Sequence, residues 1–158
     1  MTAGDAARPR RVVRSAHPAR PALPERPELA AGLRDTIAGD PFGSLLGVEL
    51  LQLEPGHCRA ALRLDGRLLN FQGNPHGAAI FALADYAFAG ACNGHGPPAV
   101  ALTVTIQFLA AAPPGARLVA EARETRQGRQ AGFYTMTVTA EDGTVVAACQ
   151  AVALRRPG

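Results

Sequence analysis

The chain has 158 residues, 47% of them hydrophobic, which is about one domain's length and enough apolar side chains for a real core. All 16 basic residues are arginine, so chemistry that needs a lysine, a P-loop or a Schiff base, is excluded. The net charge of +3 comes from the N-terminus: residues 1–28 hold six Arg against three acids and residues 29–158 hold ten against ten, so the second stretch carries no basic footprint for nucleic acid.

Residues 1–28 contain five prolines and few large apolar side chains, which predicts a disordered Arg/Pro-rich tail followed by a single domain over 29–158. Leu29–Ile37 reads as a short helix stopped at Gly39-Asp40-Pro41, and Phe42–Leu46 leads into a strand over about Gly47–Glu54. Pro55-Gly56 turns the chain into a second strand, His57–Asp65, with His57 expected to be exposed at the turn. Cys58, Ala60, Leu62 and Leu64 share one face of that strand. A loop over 67–75 precedes a central helix from Gly77 to Cys92, ended by Gly94, Gly96 and Pro97-Pro98, with His95 in the exit loop. Four more strands follow, over about 99–109, 117–126, 132–140 and 144–155, the last two joined by Asp142-Gly143. The order β-β-α-β-β-β-β predicts an α+β fold: one long central helix against a six-stranded, mostly antiparallel sheet.

No apolar run reaches the roughly 18 residues of a membrane span, and the N-terminus lacks the apolar middle of a secretory signal. The three cysteines and four histidines show no metal-ligand spacing. The expectation is a cytoplasmic protein with reduced thiols, no metal, no cofactor, and neither membrane nor nucleic acid as partner.

The central helix, GAAIFALADYAFAGAC, is apolar on every side, which predicts burial all round. Asp85 is its one charge, and a lone carboxylate in such a helix must be partnered, protonated or used. His76-Gly77 opens the helix, where N–H groups lack helical partners and favour anions. Gly77 and Asp85 stand eight residues apart, which is about 12 Å along the axis and about 80° around it. One helix cannot aim both at the same small group; two antiparallel copies could, so the spacing suggests a two-fold dimer with shared sites. Singly, Asp85 could be structural, Gly77 a packing position, His76 a loop histidine and Asn70 a turn residue.

Taken together, N-x5-HGAAIFALADYAFAGACN resembles the central segment of hot-dog fold thioesterases of the phenylacetate-degradation type. AVALTVTIQFLAAAPPG and RQGRQAGFYTMTV are similar to strand segments of the same family, and the resemblance spans about residues 40–156. It implies hydrolysis of acyl-CoA, with aryl-acetyl or hydroxylated aryl-acetyl groups favoured, by a homodimer with shared sites that pairs into a tetramer. It implies that Asp85 activates water or attacks the thioester carbonyl, and that the Gly77 N–H binds the thioester oxygen. Asn70 would position substrate or water from the Gly77 side, and His76 would orient the site. Arg126 and Arg129 would meet the nucleotide end of CoA, with Arg155 and Arg156 as secondary candidates. Two departures stand out: Ala78 replaces a usual second glycine, and Tyr86 replaces a small polar residue, which bears on acyl-pocket shape. Two other classes compete. A hydratase or dehydratase on the same fold is suggested only by Asn74-Pro75-His76, without the acid and histidine spacing such sites use. A non-catalytic acyl-CoA binder would have no need of an acid at position 85.

Overall fold

Strand and helix periodicities divide this chain into two layers. The computed structural model describes residues 29–155; the tail expected at 1–28, and Arg156, lie outside that range. The elements are α1 (Leu33–Ala38), α2 (Pro41–Leu46), β1 (Glu49–Glu54), β2 (His57–Arg63), α3 (Gly77–Asn93), β3 (Ala99–Phe108), β4 (Arg117–Gln127), β5 (Ala131–Ala140) and β6 (Val145–Arg155). The six strands form one antiparallel sheet in the order β1-β2-β4-β5-β6-β3, which leaves β1 and β3 as its edges. Register shifts interrupt the ladders at Leu50/Gln52, Ala101/Thr103, Glu124/Arg126 and Val138/Thr139. Such shifts bend strands and increase twist, which curls this sheet around α3.

Small side chains bring helix and sheet close. Ala84, Ala87 and Ala91 of α3 and Ala60, Ala120 and Ala122 of β2 and β4 are fully buried. Phe88 fills the middle and meets Tyr134 edge-on at 5.2 Å between ring centres. At Gly90 an added methyl would stand 2.5 Å from Cys58 Sγ, so only glycine permits this approach.

Three expectations need correction. The segment 41–46 is a helix, not the lead into a strand: Asp40 caps it by accepting the Gly43 N–H at 2.6 Å, and Pro41 occupies its first turn. His57 is buried, at 7% exposure, because its Nε2 meets Glu121 Oε1 at 2.8 Å across the β2–β4 pair. The helix α3 is not buried all round: Ala78 and Ala89 are exposed and Ala82, Asp85 and Asn93 partly so, along one stripe.

Candidate active site

At the start of α3, His76 is the cap: its Nδ1 accepts the Ala78 N–H at 3.0 Å, which leaves the ring proton on Nε2. The Ala79 and Ile80 N–H groups both donate to the His76 carbonyl oxygen, at 2.9 and 3.4 Å. The Gly77 N–H remains without a hydrogen-bond partner among the described residues. It lies at a cavity of ≈ 380 Å³ walled by Ile80, Phe108, Leu109 and Ala112. A methyl on Gly77 would sit 3.2 Å from Phe108 Cζ, so the ring lies directly over the glycine. An open helix-end donor in an apolar recess is suited to a developing oxyanion.

Asp85 opens on a second cavity, of ≈ 340 Å³, bounded by Ile37, Phe42, Leu46 and Val48. Its carboxylate has no hydrogen bond or ion pair among the described residues. Burial raises its pKa above the ordinary carboxylate value. A partly buried carboxylate with free lone pairs beside an apolar cavity can take a proton or attack an electrophile.

Gly77 and Asp85 therefore face different cavities of the same chain. The remaining site candidates fall as follows. Asn70 organises the loop before α3: its Oδ1 accepts the Gln72 and Asn74 N–H groups at 2.9 and 3.1 Å, which leaves its Nδ2 to donate. Tyr86 is buried and its hydroxyl donates to the Ile37 carbonyl oxygen at 2.8 Å, holding α1 beside Asp85. Arg126 and Arg129 are exposed, without an ion pair among the described residues. They lie at the exit end of α3, since the Gly56 N–H donates to Ala91 O and the Glu124 N–H to Gly56 O. That end is a helix length of about 24 Å from Gly77 of the same chain. Arg155 reaches the same loop through its N–H bond to Gln130 O, but one guanidinium nitrogen is buried and unpaired.

Two contributors escape sequence reasoning. Phe108 covers Gly77 from a strand 31 residues on, and α1–α2 supply one wall of the Asp85 cavity. Only Asp40-Pro41, a helix-start signal, could have pointed to the second. Burial pushes the Cys58 thiol up to about 12 and the Cys92 thiol up to about 11, so neither is a thiolate nucleophile.

Residues 72–147 match the family model described as Thioesterase superfamily. The acyl-coenzyme A thioesterase PaaI of Escherichia coli is 34% identical over 108 residues, covering 68% of this chain and 77% of that protein. The structure of the E. coli PaaI protein from the phenylacetic acid degradation operon aligns with a TM-score of 0.76 at 31% identity, over 79% of this chain and 91% of that one. A mutant of the phenylacetic acid degradation protein PaaI from Thermus thermophilus aligns with a TM-score of 0.71 at 37% identity, over 74% and 100% of the two chains.

Proposed function

This chain belongs to the thioesterase superfamily and has its hot-dog fold, and on that premise we propose that it hydrolyses acyl-CoA to a free acid and CoA. Aryl-acetyl or hydroxylated aryl-acetyl groups are the acyl class we favour. The observation that carries the reading is the pairing, on one helix, of an unpartnered carboxylate at Asp85 with an open N–H at Gly77, each at an apolar cavity.

The active unit is a dimer in which Gly77 of one copy faces Asp85 of the other. The free edge of β3 supports this: it is ten residues long and leaves Val100, Leu102 and Phe108 exposed. An uncovered edge of that length pairs readily with a second strand, and a two-fold pairing would set two copies of α3 antiparallel. Two such dimers form the assembled protein.

In this site the thioester oxygen accepts the Gly77 N–H. Asp85 takes a proton from water as the water oxygen bonds to the carbonyl carbon. The tetrahedral oxyanion collapses, the C–S bond breaks, and the leaving thiolate recovers the proton. In the nucleophilic variant an Asp85 oxygen attacks the carbonyl carbon, and the C–S bond breaks to expel the CoA thiolate and leave a mixed anhydride. Water then cleaves the anhydride to the acid and the Asp85 carboxylate, its released proton going to the thiolate. His76 orients the donor by capping the helix, and the Asn70 Nδ2 positions substrate or water. Arg126 and Arg129 of the chain that supplies Asp85 hold the CoA phosphates, because they lie beyond Asp85 on the side away from that chain's own Gly77. No helix among the described residues is long and apolar enough to cross a membrane, and the buried free cysteines fit a cytoplasmic setting.

A thiol-release assay tests the reading. Wild type should liberate CoA from phenylacetyl-CoA, and Asp85→Asn, which preserves size but can neither accept the proton nor attack, should lose roughly 10²–10⁴-fold in kcat. Turnover retained by Asp85→Asn would contradict it.

A further inference from the structure

The short helices α1 and α2 pack across the Asp85 cavity as a separate piece. Glycines with left-handed φ bound them, Gly32 at 75° before α1 and Gly47 at 81° after α2. No residue of α1 is buried, and of α2 only Gly43 is. Ile37 and Leu46 pack against the core, and Tyr86 of α3 adds two specific contacts to this piece. Its hydroxyl donates to Ile37 O at 2.8 Å, and its ring lies so close to Gly43 that an added methyl would meet Cε2 at 2.6 Å. A weaker contact, Arg34 Nη2 to Leu50 O at 3.4 Å, reaches β1 instead. Ile37, Phe42 and Leu46 meanwhile face the same cavity as Asp85.

We propose that α1–α2 is the roof of the acyl pocket, and that Tyr86, the neighbour of Asp85, is the positioning residue that clamps it and sets discrimination for bulky apolar acyl groups. This rests on the thioesterase reading above. An aryl-acetyl group reaching past Asp85 packs under Ile37, Phe42 and Leu46, and its binding depends on a closed roof. An acetyl group ends at the reacting carbon and scarcely touches it. Apart from Asp85 itself, the polar side chains of this cavity are already engaged: Asp40 by the Gly43 N–H, Tyr86 by Ile37 O, Thr36 by Gly32 O and Asn93 by Ala89 O. The pocket therefore selects by apolar shape.

The experiment compares phenylacetyl-CoA with acetyl-CoA on wild type, Tyr86→Phe and Ile37→Ala. Tyr86→Phe keeps the ring contact with Gly43 and removes the hydroxyl half of the clamp, and one hydrogen bond shifts an open–closed equilibrium roughly two- to tenfold. The phenylacetyl/acetyl ratio of kcat/KM should fall by that factor, through KM for phenylacetyl-CoA, with its kcat nearly retained. Ile37→Ala trims the roof but leaves the backbone acceptor in place, and should lower the same ratio even if Tyr86→Phe fails to fold. A ratio unchanged in both variants, or parallel losses on both substrates, would overturn the roof. A wild type that hydrolyses neither substrate would instead overturn the thioesterase reading itself.

Discussion

Asp85 ionises against its surroundings, and this has a definite sign. Burial raises its folded pKa above the ordinary 3.8, so the unfolded chain gives up this proton at lower pH than the native one. Native stability is therefore unaffected below 3.8, falls as pH rises from there through the folded pKa, and stays reduced above it. Asp85→Asn removes that cost. Its melting temperature should exceed that of wild type at about pH 7 and match it at about pH 3, with the gap opening between. An equal melting temperature at both pH values would mean that the carboxylate is not desolvated. The identity of this residue was legible because a single charge interrupts an otherwise uncharged helix; its lack of a partner was not, since nothing local shows what a curled sheet brings near. The same limit hid His57, whose partner Glu121 is 64 residues away, and the Tyr86 hydroxyl, whose acceptor Ile37 is 49 residues away.

At the scale of the element, α3 depends on close approach more than on large side chains. Gly90→Ala would improve helix propensity yet drive a methyl to 2.5 Å from Cys58 Sγ and 3.1 Å from its Cβ, both fully buried on β2. Overpacking should win, destabilising the protein by about 1–3 kcal/mol in urea unfolding. A neutral or stabilising Gly90→Ala would mean that α3 rides higher on the sheet. The strands and the central helix were readable from their periods, because each buries one face or one stripe. The helix α2 was not, although Asp40 and Pro41 signal a start: after Gly39 they read equally well as the stop of the preceding helix. The exposed stripe through Ala78, Ala82, Asp85 and Ala89 also escaped the pattern, because alanines carry no polarity to mark a solvent or partner face.

At the scale of the whole molecule, the proposed function makes the described chain a carrier of two half-sites. The donor at Gly77 and the acid at Asp85 open on separate cavities, and the free arginines lie at the far end of α3 from the donor. In the proposed dimer a second copy joins these parts, and β3 leaves an edge for it. The sharing can be tested with two variants that each remove one group. Asp85→Asn removes the acid. Gly77→Pro removes the N–H and keeps the backbone, because proline is favoured at the first helical position and His76, at φ −73° and ψ 131°, already has the conformation that precedes a proline, while the Phe108 ring, 3.2 Å from the new Cβ, must give slightly. Each variant alone should be inactive, and the two should be refolded together. In a mixed dimer with shared sites, one site collects both defects and the other none, so about half of wild-type turnover should return per mixed dimer. Mixed dimers that form, as shown by tagged co-purification, yet release no thiol would place both groups in one chain and contradict the account.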